Sequence, residues 1–125
     1  MHERRAPRLR AVALSVLIPA AGARRPIEIP DMSFITGVGL TPYGKHEGSS
    51  TLDLMSTASQ LAIDDAGLKR AEVDGLLCGY STTMPHIMLA TVFAEHFGLR
   101  PAYCHAVQVG GATGMAMAML AHQVV

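Results

Sequence analysis

The chain has 125 residues, half of them hydrophobic, with a mean hydropathy of +0.28, which suffices for one domain with a packed core and excludes a disordered polypeptide. Aromatic residues make up 5% and tryptophan is absent, a balance that disfavours a β-sandwich or a protein that stacks nucleic-acid bases. The formal net charge is zero, but six of the ten basic residues are arginines in the first 25 positions, and from Met32 onward four basic residues stand against seven acidic ones, so the globular part offers no basic footprint for nucleic acid.

Residues 1–31 combine an arginine-rich start (Arg4, Arg5, Arg8, Arg10), an apolar run over 11–23 broken by Pro19, and the pair Arg24 and Arg25. Two readings fit. One is a bacterial export signal with Ala21-Gly22-Ala23 as its cleavage site; the run is too short and too interrupted to span a membrane. The other takes Met32 as the true start, because a β-prone run opens almost immediately after it, and makes the upstream residues a leader with no structural role. The second is preferred, since the rest has the character of an intracellular enzyme segment, and a cytoplasmic location goes with it. On either reading residues 1–31 are expected to be disordered and outside the fold, which is assigned to residues 32–125.

Residues 34–38 are short and β-prone and run into Gly39, Pro42 and Gly44, which predicts a strand ending in a glycine-rich loop. Ser50 then caps a helix, with Asp53 three residues on and Leu54, Ala58, Leu61 and Ala62 forming one apolar stripe. Gly67 ends that helix, and Leu68 is the hydrophobic partner of its C-terminal cap. Residues 75–80 form a brief apolar run, as in a strand covered on both faces. Over 85–97, Ile87, Leu89, Ala90, Phe93, Ala94 and Phe97 recur at helical spacing up to Gly98. A third strand over 103–109 and a third helix over 115–125 follow; the helix ends without glycine, proline or a basic cap, so the chain reads as cut short at its C-terminus. The order predicts an α/β fold with right-handed crossovers, a mainly parallel sheet and helices on both faces.

The third strand delivers the chain into Gly110-Gly111-Ala112-Thr113-Gly114, and a small-residue helix pattern leaves it. A glycine pair at a strand-to-helix turn permits close approach to the backbone beside helix N-terminal amides, which favour negative charge. Such a turn suits a reacting carbonyl oxygen. It also suits tight helix-sheet packing with no chemistry at all.

Three stretches together resemble the N-terminal part of the thiolase superfamily, in its sterol-carrier-protein-type and lipid-transfer branch. They are Ile35-Thr36-Gly37-Val38-Gly39 with Thr41-Pro42-Tyr43-Gly44-Lys45, then Asp64-Asp65-Ala66-Gly67-Leu68 with Val73-Asp74-Gly75, and the turn at Gly110 and Gly111. The resemblance implies most of the first of two similar α/β halves, a homodimer when full length, and an acyl-CoA substrate, the coenzyme A thioester entering as substrate and no cofactor being held covalently. In thiolases this turn carries a nucleophilic cysteine within Cys-Ala-Ser-Gly, whereas the matching residues here are Gly111-Ala112-Thr113-Gly114. On this resemblance Gly111 replaces the nucleophile, glycine forms no thioester, and no catalytic residue is expected within this chain. Gly110, Gly111, Ala112 and Thr113 are the expected active-site loop. Some thiolase-like proteins lacking the cysteine resemble retro-aldol carbon-carbon lyases acting on a hydroxyacyl-CoA with a small OB-fold partner protein. Two functions therefore stand: a thiolase-superfamily acyltransferase or aldolase-type lyase when full length, inactive as this chain alone, or a non-catalytic thiolase-fold subunit that binds a protein partner, lipid or acyl-CoA.

Other features yield plainer readings. Cys78 and Cys104 are expected to be buried, reduced strand thiols, and His105 to point away from Cys104 on the opposite strand face. His86, His96 and His122 lack partners at ligand spacing, and no metal is predicted. Gly37-Val38-Gly39 with Gly44 misplaces the third glycine of a dinucleotide loop. Met115, Met117 and Met119 are expected to fill core space on a closely packed helix.

Overall fold

The computed structural model describes residues 33–124 together with the backbone of Ser15–Ile18. The elements are β1 (Ser15–Ile18), α1 (Thr51–Asp65), β2 (Gly75–Cys78), α2 (Leu89–Phe97), β3 (Tyr103–Ala106) and α3 (Thr113–Gln123), with short 3-10 turns at Arg70–Glu72 and Gly110–Ala112. The α/β class holds, but the sheet among the described residues is mixed, with one parallel and one antiparallel pair where a mainly parallel sheet is expected. β2 is central, pairing parallel with β3 (Gly75 opposite Tyr103, Cys78 opposite Ala106) and antiparallel with β1 (Ser15 opposite Cys78). Because successive strand residues face opposite ways, Leu76 and Cys78 enter one core with Ile63, Phe93 and Phe97 of α1 and α2, while Leu77 enters another with Val107, Met117 and Ala121 under α3. Helices thus cover both faces of β2, and Phe93 and Phe97 stack at 5.3 Å between ring centroids.

The expected strand over 34–38 is not formed; Phe34 makes a single bridge and the chain beyond it runs irregularly. Its backbone is drawn to a helix instead. A Cβ at Gly37 would lie 2.2 Å from the Ala62 carbonyl oxygen, one at Gly39 2.0 Å from that of Ala58, and the Val38 amide donates to Asp65 Oδ2 at 2.9 Å. β1 occupies a sheet edge from within the segment set apart as a leader; the other residues of 1–31 lie outside the described ones.

Local sequence signals define α1. Ser50 Oγ accepts from the Asp53 amide at 3.1 Å while the Ser50 amide donates to Asp53 Oδ2 at 2.9 Å, a reciprocal cap. At the other end Leu68 N donates to Ile63 O and Gly67 N to Asp64 O, with Gly67 at φ +65° and Leu68 against the core. The buried stripe is Ala58, Ser59, Ala62 and Ile63; Leu61, expected on it, is exposed, although its Cβ would lie 3.0 Å from a Cβ built at Gly39. α2 begins at Leu89 rather than 85, since the Met88 amide is taken by His86 Nδ1 at 3.1 Å and Met88 is not helical. Ile87 is consequently exposed.

The cap gives a pH prediction. The Ser50 hydroxyl, then its amide, with His96 as a lesser attraction, hold the Asp53 carboxyl below its ordinary 3.8. The folded state therefore binds fewer protons than the unfolded one. The stabilisation is complete above the ordinary carboxylate value and fades as pH falls through the lowered folded value. Ser50→Ala is expected to cost about 1 kcal/mol at pH 7 and to flatten the acid limb of stability. Urea unfolding at pH 7 and pH 3 reads both; an unchanged acid limb would contradict the assignment.

Candidate functional site

β2 and β3 run parallel, so their C-terminal ends open on one side, the side where ligands bind in open α/β sheets. The ladder closes with Val107 N donating to Cys78 O at 2.8 Å. Beyond it both chains turn towards the start of α3; a Cβ built at Gly79 would sit 3.4 Å from Thr113 Cγ2. Thr113, the buried first residue of α3, fixes the turn: its hydroxyl donates to Gly110 O at 2.7 Å and accepts from Val109 N at 3.2 Å. Gly110, Gly111 and Ala112 form the exposed 3-10 turn, and no side chain caps the N-terminus of α3.

The two glycines differ. Gly110 lies at φ +65°, where a side chain is strained. Gly111 has no such φ, and a Cβ there would meet nothing within 4 Å. Tight packing therefore accounts for neither residue, and left-handed backbone accounts for Gly110 alone. Gly111, the position expected from the resemblance to stand in place of a nucleophile, is sterically open.

At the C-terminal ends of the two strands lies a cleft of about 250 Å³ lined by Tyr80 and Ser81 after β2, Pro85, His86 and Ile87 before α2, and Gln108 after β3. Sequence reasoning took His86 for a plain histidine and passed over Tyr80 and Gln108; their place just after two parallel strands was the available signal. A wider groove of about 510 Å³ lies elsewhere, between α1 and the end of α2. There Arg70 stacks on the Phe97 ring at 3.9 Å and donates to Phe97 O at 2.8 Å and to Gln60 Oε1, so its cation ties the helices together.

Two expectations fail at this end of the sheet. Cys104 is exposed rather than buried, because β3 is the outer strand of the three; partial burial still pushes its thiol upward, against a lowering hydrogen bond from Thr91. Cys78 is buried as expected. Of the three methionines only Met117 is core: Met115 and Met119 are 71% and 62% exposed, since residues four apart share a helix face and theirs is turned away from β2. Among the described residues no cluster of three His, Cys, Asp or Glu side chains is placed to hold a metal, and no helix is long and apolar enough to cross a membrane.

No protein-family profile and no solved structure matches the chain. Over 62 residues, 50% of this chain, the sequence is 39% identical to a steroid side-chain-cleaving aldolase of Thermomonospora curvata, and the matched stretch covers only 16% of that aldolase.

Proposed function

We propose that the chain is part of a thiolase-like protein that cleaves a carbon-carbon bond of a hydroxyacyl-CoA by retro-aldol chemistry, in place of acyl transfer through cysteine. The observation that carries this reading is Gly111: an open, unstrained position with no nucleophile on it, in a turn whose residues resemble the thiolase one. The partial likeness to a steroid side-chain-cleaving aldolase supports the same chemistry and suggests a steroid-bearing acyl group. In that reaction a base takes the β-hydroxyl proton, the Cα–Cβ bond breaks to leave a ketone or aldehyde, and the electron pair becomes a thioester enolate that is protonated at Cα. The Thr113 amide already donates to Gly110 O, so it is the N-terminal end of α3, which no side chain caps, whose dipole suits the enolate oxygen. The acid and base are assigned to the remainder of such a protein, together with a homodimer partner and an OB-fold protein.

Intact-mass measurement after incubation with acetyl-CoA tests the reading. No acetyl adduct is expected, and an adduct on any residue would return the protein to acyl transfer. Grafting the matched 62-residue stretch into the Thermomonospora aldolase gives the complementary test: the chimera is expected to keep cleaving, and a folded but inactive chimera would contradict the proposal.

A further inference from the structure

We infer that the cleft between the β2 and β3 outlets receives the uncharged, oxygen-bearing acyl end of the thioester, with His86 donating a hydrogen bond to it from Nε2; this rests on the acyl-CoA reading above. The chemistry of the lining selects the ligand. Tyr80, Ser81, His86 and Gln108 bring hydroxyls, an imidazole and a carboxamide, Pro85 and Ile87 bring apolar surface, and neither a carboxylate nor a lysine or arginine lines the cleft. Phosphates of coenzyme A would find no cation there, whereas a carbonyl or hydroxyl beside hydrocarbon finds matching partners.

The tautomer of His86 follows from its neighbour. The Met88 amide donates to Nδ1 at 3.1 Å, so in the neutral ring the proton sits on Nε2, which makes that atom a donor and not a base. Ser81 Oγ is already engaged by Met84 N and Thr83 Oγ1. Among the described residues no protein hydrogen bond occupies His86 Nε2, the Tyr80 hydroxyl or the Gln108 carboxamide, so these three are available for a ligand. His86 is thus a positioning donor in the cleft at the β2 and β3 outlets, distinct in role from the base the reaction needs.

The test compares coenzyme A with 3-hydroxybutyryl-CoA by calorimetric titration of the full chain, in wild type, His86→Ala and His86→Gln. The acyl compound is expected to bind wild type more tightly, His86→Ala to lose about three- to tenfold of that advantage, and His86→Gln, which keeps an N–H donor, to restore part of it. Imidazole ¹⁵N shifts are expected to show the Nε2-protonated ring before any ligand is added. An advantage undiminished in His86→Ala, equal binding of both compounds to wild type, or an Nδ1-protonated ring would overturn the inference and leave the acyl-CoA reading standing. Failure of wild type to bind either compound would overturn both.

Discussion

Gly39→Ala is expected to lower the free energy of unfolding by about 2–3 kcal/mol, with Gly37→Ala close behind. A Cβ at Gly39 would stand 2.0 Å from the Ala58 carbonyl oxygen and 2.6 Å from the Ala62 amide, and one at Gly37 2.2 Å from the Ala62 carbonyl and 2.8 Å from the Ala66 amide. These obstacles are helix backbone, which cannot swing aside as a long side chain does. Either α1 shifts off its core contacts at Ala62 and Ile63, or the 37–39 segment lifts and the Val38–Asp65 hydrogen bond breaks. Against a total stability of about 5–15 kcal/mol for a domain of ordinary size, either response is visible in urea unfolding. Limited proteolysis separates them, since lifting exposes the 33–40 backbone to cleavage. Val38→Ala, at an exposed side chain between the two glycines, is expected to change stability by less than about 0.5 kcal/mol. A Gly39→Ala protein as stable as wild type would remove the packing account of this pair.

That account also shows why the opening motif misled. Gly37-Val38-Gly39 follows β-prone residues, and local propensity carries no record of a helix waiting to receive the glycines' bare backbone, so a strand was expected where a packed, irregular segment stands. Signals confined to a few neighbouring residues were legible: the Ser50–Asp53 cap, the Gly67–Leu68 stop, the buried run at Leu76 to Cys78 and the helix after Gly110 all stand where the residues placed them. Properties set by position in the sheet were not. Cys104 and Leu77 both sit in apolar runs, but only Leu77 belongs to the central strand, and burial follows that placement. The candidate site divides the same way. Its turn was written in contiguous residues, while its cleft joins Tyr80 and Gln108, brought together by the parallel pairing of β2 with β3, to His86 on the segment before α2.

Gly111→Cys is expected to fold with stability within about 0.5 kcal/mol of wild type, whereas Gly110→Ala loses about 1 kcal/mol. The difference follows from φ +65° at Gly110 and from the open, unstrained surroundings of Gly111. The introduced thiol stands at the 3-10 turn leading into α3, whose N-terminus has no side-chain cap, so the helix dipole there favours its thiolate. Cys104 supplies the internal comparison: it is exposed as well, but partial burial holds its thiol above the ordinary value, and Cys78 is inaccessible. Alkylation by iodoacetamide at pH 7, followed in Gly111→Cys made on a Cys104→Ser background, is expected to run at least about tenfold faster than alkylation of Cys104 in wild type. Fast alkylation would show that the turn keeps the field which activates a nucleophile although this chain places none there, the condition under which that field is free to act on an enolate. Alkylation no faster than that of Cys104 would mean that the turn polarises nothing, and the retro-aldol proposal would lose its oxyanion site.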